Sequence, residues 1–161
     1  MSLRIGNGYD VHRLEWGRPL FLGGVEIPHA KGAVAHSDGD VLIHALCDAL
    51  LGAAALGDIG MHFPDSSLEY KGIDSKILLA RTVGKLRENG YQPVNIDAVI
   101  CLQEPKVAPY IPSMRETLAK IASMPPSALS IKATTTEGLG FVGREEGIAA
   151  YVVCLISTLQ G

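Results

Sequence analysis

The stretch His36-Ser37-Asp38-Gly39-Asp40-Val41-Leu42-Ile43-His44-Ala45-Leu46-Cys47-Asp48-Ala49-Leu50-Leu51-Gly52 sets acids and hydroxyls directly before a long apolar run. That order predicts a helix start. Ser37 is the expected N-cap, with Asp38 and Asp40 in the first turn, where carboxylates meet the positive end of the helix dipole. The helix is expected to reach about Leu56. Asp40, His44 and Asp48 recur every four residues and so share one face of it. A polar triple in an apolar helix has two readings. One is a capping Asp40, a hydrogen-bonded His44 and a solvated Asp48. The other is a chemical site.

Working outward, Arg4–His12 reads as a strand and Pro19–Ile27 as two short strands around Gly23-Gly24. Gly57–Lys71 holds Gly, Pro, Asp and Ser and reads as a long loop, a frequent place for function. Ser75–Asn89 predicts a second helix, with Leu78, Leu79, Thr82, Val83 and Leu86 inside and Asn89-Gly90 as its stop. Val94–Leu102 reads as a strand. Ile111, Met114, Leu118, Ile121 and Ala122 then follow a helical period, with Pro112 at the start. Leu129–Thr135 reads as a strand. Gly147–Thr158 is nearly apolar throughout, which predicts a strand buried on both sides. The order lacks a run of alternating strand–helix units. It predicts an α+β fold, a single mixed sheet covered on one face by helices. No break in composition divides the chain, so one domain over residues 1–161 is expected.

Composition narrows the function. Of 161 residues, 47% are hydrophobic and 19% charged, which excludes a disordered chain. Fourteen basic against 17 acidic residues leave a net charge of −3, the wrong balance for a nucleic-acid binder. An anionic ligand must be drawn by a local cluster or a metal. Cys47, Cys101 and Cys154 are odd in number, widely spaced and set in apolar runs. They read as buried, reduced thiols of a reducing compartment. The apolar stretch Ile148–Ile156 is far shorter than the ~20 residues of a membrane span. With no charged-then-apolar leader, a cytoplasmic protein is expected, or a stromal one lacking its transit peptide if the source is a plant.

The chemistry starts at Asp10 and His12. Residues two apart in a strand point the same way, so a carboxylate and an imidazole are presented together. With His44 they make three N/O ligands, a catalytic zinc count with one position open. Asp40 is then expected to orient an imidazole from behind. His36-Ser37, at a helix start, suits a phosphate or is simple capping. Lys132-Ala133-Thr134-Thr135-Thr136-Glu137 is either plain strand preference or a cradle for a diphosphate and a hard cation. Arg144, after Gly143, can clamp a phosphate. His29 and His62 read as surface or loop residues.

In combination these segments resemble the 2-C-methyl-D-erythritol 2,4-cyclodiphosphate synthase family. The resemblance is carried by Gly8-Tyr9-Asp10-Val11-His12, the His36–Ala53 stretch, Gly57-Asp58-Ile59-Gly60, and Phe63-Pro64-Asp65. Pro105-Lys106, Lys132–Glu137, Gly140-Phe141 and Gly143-Arg144 extend it, in register, from about Arg4 to Ile156. One departure is Glu145, where a small residue, often Gly, is familiar.

The resemblance implies an enzyme, a phosphorus–oxygen lyase of non-mevalonate isoprenoid synthesis. It would convert 4-diphosphocytidyl-2-C-methyl-D-erythritol 2-phosphate to the 2,4-cyclodiphosphate and CMP by metal-assisted intramolecular phosphoryl transfer. It further implies a homotrimer built around packed sheets, with active sites between subunits. Zn²⁺ or another divalent cation would sit at Asp10, His12 and His44. Mg²⁺ or Mn²⁺ would bridge the substrate diphosphate and Glu137. His36 and Thr135 match catalytic stabilisers of the transition state. Lys106, Ala133, Thr134 and Thr135 match a cytidine-phosphate pocket. Asp58, Gly60, Phe63 and Asp65 match the loop that holds the erythritol phosphate. Phe141 and Arg144 match further contacts, and Asp10, His12, His36, Ser37, Asp48 and Glu137 count among the substrate contacts. Lys132 is expected to help neutralise the leaving diphosphate. Neither a nucleic acid nor a membrane is an expected partner. The rival readings are a zinc-dependent phosphodiester hydrolase, which would release a linear bisphosphate, and a nucleotide-binding module with a structural zinc, which would need a fourth protein ligand.

Overall fold

A computed structural model describes residues 2–159; of the domain expected over 1–161, residues 1, 160 and 161 lie outside the described residues. The chain opens with a long strand, β1 (Leu3–Trp16). The hairpin β2 (Leu20–Leu22) and β3 (Val25–Ile27) turns at Gly23-Gly24, as the sequence predicts. After β4 (Lys31–Val34) comes α1 (Val41–Ala53). The long loop carries a single helical turn, α2 (Ile59–His62), and a 3-10 turn at Leu68–Tyr70. Then follow α3 (Ser75–Glu88), β5 (Tyr91–Cys101), α4 (Ile111–Ala122), β6 (Leu129–Thr134), the short α5 (Gly140–Gly143) and β7 (Gly147–Thr158).

Five strands form one mixed sheet in the order β4-β1-β7-β5-β6, and only β5 and β6 run parallel. The helices α1, α3 and α4 pack on one face of it. Leu42, Leu46 and Leu50 of α1 meet Ile148, Val152 and Ile156 of β7, Ile96 and Ile100 of β5, and Leu79 and Leu86 of α3 in one buried cluster. Each such side chain stabilises the fold by about 1.5–3 kcal/mol.

The first helix starts later than its sequence suggests. Asp40, not Ser37, is the N-cap, and its side chain accepts from Ile43 N. Ser37 instead closes a local turn by accepting from Gly39 N. Asp40 is completely buried. Its two oxygens also take the N–H groups of Gly23 (3.0 Å) and Gly24 (2.7 Å), which ties the β2–β3 hairpin to α1. Both glycines have φ values in the left-handed region, +59° and +76°, which makes them the residues for this turn. Asp40 therefore does not orient an imidazole; its carboxylate is consumed by backbone. The helix stops at Ala53 rather than Leu56, where Ala55 takes a positive φ of 59°.

The last strand is not buried on both sides. Tyr151 and Val153 are 52% and 47% exposed and alternate with fully buried Ala150, Val152 and Cys154. Helices cover only one face, so strand alternation leaves the other face open. On that open face Ile5, Tyr9 and Val11 of β1 join them, and the rings of Tyr9 and Tyr151 pack at a 40° tilt with centroids 4.7 Å apart.

Candidate active site

Two glycines bring the strand and helix of the site together. Even-numbered residues of β1 face α1. At Gly6 and Gly8 an added Cβ would lie 2.0 and 1.9 Å from the carbonyl oxygens of Ala49 and Ala45. The helix backbone therefore rests directly on the strand. The next even positions, Asp10 and His12, meet the next turn of α1, where His44 stands.

The three side chains converge on one point. His44 Nδ1 lies 2.9 Å from His12 Nε2 and 3.2 Å from Asp10 Oδ2. His12 Nε2 lies 3.1 Å from that same oxygen. The two rings meet edge to face. Two imidazole nitrogens and a carboxylate oxygen facing one another repel unless a proton or a metal cation stands between them. Donors at ~2.0–2.1 Å from a tetrahedral Zn²⁺ stand about 3.3 Å apart, so the spacing and donor types fit a divalent cation. Among the described residues this is the one cluster of His, Cys, Asp or Glu with that convergence. Burial works against the Asp10 carboxylate, but hydrogen bonding to His12 and His44 outweighs it and holds the group well below the usual carboxylate range. Burial likewise opposes a charged His44, and the bond to Asp10 overrides it and pushes that imidazole up.

The cluster opens into a cavity of about 320 Å³. His36 and Ser37 line it on one side, and Gly60, Phe63 and Asp65 on the other. His36 Nε2 donates to Ser67 O at 3.1 Å, which fastens the loop to the site. A second cavity of about 150 Å³ lies at the ends of β5 and β6, lined by Pro105, Lys106, Ala133, Thr134 and Thr135. The register aligns Asp10 with Ala150, Ala150 with Ile100, and Ile100 with Ala133. Asp10 at the first cavity and Ala133 at the second thus stand level across the sheet, three strand spacings or about 14 Å apart.

The model of the YgbB family matches residues 3–157. The chain belongs to the YgbB family. It is 56% identical to the 2-C-methyl-D-erythritol 2,4-cyclodiphosphate synthase of Salinibacter ruber, over 97% of this chain and 99% of that protein. Among solved structures, the bifunctional IspDF of Campylobacter jejuni superposes with a TM-score of 0.95 at 42% identity. The match covers 99% of this chain and 43% of that one, so this chain spans less than half of the bifunctional protein. A 2C-methyl-D-erythritol-2,4-cyclodiphosphate synthase in a CDP-bound form gives 0.88 at 38% identity, over 96% of this chain and 100% of that one.

Within this YgbB chain the expected residues fall into separate groups. Asp10, His12, His44, His36, Ser37, Gly60, Phe63 and Asp65 share the first cavity. Asp58 caps α2 by accepting from Met61 N at 2.9 Å. Asp48 accepts from Ile59 N at 2.7 Å and so holds the same turn from below. Glu137 lies in an exposed turn with φ +54°, outside the three-ligand cluster. Phe141 is half-exposed and lies against Gly147. Arg144 spends its guanidinium on Glu146, at 2.8 and 3.2 Å.

Lys132 forms an exposed ion pair, its ammonium donating to both oxygens of Asp97 at 2.6 Å diagonally across the neighbouring strands β5 and β6. Glu145 occupies a left-handed backbone position, φ +56°, a conformation that glycine adopts at no steric cost. Sequence reasoning missed Ser75, which touches His44, and missed the meaning of Gly6-x-Gly8. Glycines at alternate strand positions were the available signal for close helix approach.

Proposed function

We propose that this chain is a 2-C-methyl-D-erythritol 2,4-cyclodiphosphate synthase, one catalytic domain acting on 4-diphosphocytidyl-2-C-methyl-D-erythritol 2-phosphate. The observation that carries the reading is the convergence of Asp10, His12 and His44 at the floor of a cavity walled by His36, Ser37 and Asp65. The family match and the near full-length relatives bearing that enzyme name support it.

In the reaction a 2-phosphate oxygen bonds to the β-phosphorus. The bond from that phosphorus to the oxygen bridging it to the α-phosphorus breaks, and CMP leaves with the electron pair. No protein nucleophile is needed. A divalent cation held by Asp10, His12 and His44, for which we propose Zn²⁺, would supply a net positive charge and Lewis-acid polarisation of a phosphoryl oxygen. The rest falls to the chain's own groups. Gly60, Phe63 and Asp65, with Asp58 shaping their turn, bind the erythritol phosphate. Lys106, Ala133 and Thr134 bind the cytidine phosphate. Gripping both ends orients attacker and leaving group in line, which is worth roughly 7–11 kcal/mol of barrier. Thr135 donates a hydrogen bond to a phosphoryl oxygen as charge builds on it, and His36 does the same when its Nε2–H turns from Ser67 O to the substrate, the main contribution open to a protein in such transfers. Glu137 would hold Mg²⁺ or Mn²⁺ against the diphosphate, with Phe141 and Arg144 completing the contacts.

We further propose a cytoplasmic homotrimer with active sites between subunits. Two features support it. The metal cluster and the Lys106–Thr135 cavity are separate in one chain, with Asp10 and Ala133 three strand spacings apart, an arrangement that suits sites completed by a neighbouring copy. The outer sheet face also carries Ile5, Tyr9, Val11, Tyr151 and Val153, an apolar surface suited to packing against its own copies. Among the described residues, no helix is long and apolar enough to cross a membrane.

Phosphorus NMR of the product formed from the cytidyl substrate tests the reaction. Two coupled diphosphate resonances in a ring, with CMP released, are expected. A linear bisphosphate would establish the hydrolase instead.

A further inference from the structure

His44 uses both ring nitrogens, and only one faces the ligand cluster. Its Nε2 points the other way, 2.9 Å from Ser75 Oγ and 3.0 Å from Ser37 Oγ. Ser75 is the first residue of α3 and is completely buried. Its hydroxyl makes a short hydrogen bond to Asp38 Oδ1, and its backbone N–H donates to Asp38 Oδ2 at 3.0 Å. Asp38 Oδ1 also accepts from Asp40 N at 3.2 Å.

Proton counting decides the direction of this chain. Both oxygens of Asp38 already face donors, Oδ1 accepting from Asp40 N and Oδ2 from Ser75 N. A hydroxyl carries one hydrogen, so Ser75 must spend it on Asp38. Toward His44, Ser75 can then only accept, and the ring must carry its proton on Nε2. Ser37 leaves the matter open: it accepts from Gly39 N, and its own hydrogen is free to point either way. Ser75 is the group that leaves no choice.

We infer that Asp38 and Ser75 are positioning residues that keep Nε2 of His44 protonated, so that Nδ1 is the nitrogen left to serve the point shared with Asp10 and His12. This rests on reading those three residues as a metal site. The same chain fastens the start of α3, and with it the end of the long loop, to the metal cluster: Asp38 N donates to Ile73 O and Gly72 N donates to His36 O, at 3.0 and 2.7 Å. The arrangement belongs to the general pattern in which a ligating imidazole gives its other N–H to a fixed acceptor, whose loss lowers metal affinity about 10–100-fold.

The test has two parts and uses the full chain. Nitrogen-15 NMR of the histidine rings in the zinc-free wild-type protein reads the tautomer without any substitution. A protonated-type Nε2 at His44 is expected whether or not Nδ1 carries a proton toward Asp10; a bare-type Nε2 overturns the inference. Zinc affinity is then measured by chelator competition, with zinc alone as the probe. Ser75→Ala is expected to bind zinc about 10–100-fold more weakly and to lose the single tautomer, while Ser75→Thr, which keeps the hydroxyl, recovers most of both. Unchanged affinity and tautomer in Ser75→Ala would overturn it. Neither readout involves substrate, so a linear product in the phosphorus NMR experiment would sink the synthase reading while leaving this result standing.

Discussion

A Cβ on Gly8 would stand 1.9 Å from the carbonyl oxygen of Ala45, inside the space that α1 occupies. The contact is with backbone, so no rotamer change can relieve it. Because the same helix carries His44, the strand–helix distance and the ligand geometry are one quantity.

Gly8→Ala is therefore expected to destabilise the fold and to spread the ligand cluster. Overpacking typically costs about 1–3 kcal/mol, and a backbone clash belongs at or above the upper end. Urea unfolding would give the stability loss, and zinc titration the weakened site. A variant as stable and as tightly binding as the wild type would show that the helix rides freely on the strand.

Asp40 supports the fold rather than the chemistry. Asp40→Ala removes a helix cap, worth roughly 0.5–2 kcal/mol, and orphans the N–H groups of Gly23 and Gly24, at about 1–3 kcal/mol for each donor left buried. A loss of about 3 kcal/mol or more is expected in denaturant titration. Its effect on zinc affinity, measured on whatever fraction stays folded, should be smaller than that of Ser75→Ala.

His44→Ala and Asp10→Ala each remove one of three donors. Both variants are expected to stay folded by circular dichroism, to lose zinc on dialysis and to lose most turnover. Metal analysis after dialysis is the check, and full zinc retention by both would contradict the ligand set.

Thr135 lines the second cavity, and its hydroxyl accepts from Glu137 N at 3.2 Å. Thr135→Ala should lower kcat more than CMP affinity, since a group stabilising only the transition state leaves ground-state binding nearly intact. Steady-state kinetics beside CMP titration would separate the effects; a loss confined to CMP binding would make Thr135 a binding residue.

Burial pushes the thiols of Cys47 and Cys154 up to about 12. The reactive thiolate is therefore nearly absent at neutral pH. Both cysteines are expected to resist iodoacetamide in the native protein and to react once it is unfolded. Mass mapping of the alkylated sites would show it, and rapid native labelling of Cys47 would mean that α1 opens locally.

Local order along the chain was enough to predict the helices at Ser75 and Ile111, the hairpin at Gly23-Gly24 and the α+β class. These depend on periodicity and turn chemistry, which act between near neighbours. It also singled out Asp10, His12 and His44, since a strand and a helix each display their polar residues at fixed offsets. Tertiary structure decided what those residues do. Asp40 and Asp38 are both acids before a helix, and nothing local tells them apart; the hairpin arriving over Asp40 and the α3 start arriving beside Asp38 assign one to backbone and the other to Ser75. Lys132 is taken by Asp97 only because two distant segments pair in parallel. The strand and helix that hold the ligands meet because Gly6 and Gly8 lack a Cβ where the carbonyls of α1 come to rest, a fit between surfaces some forty residues apart in the chain that no local pattern encodes.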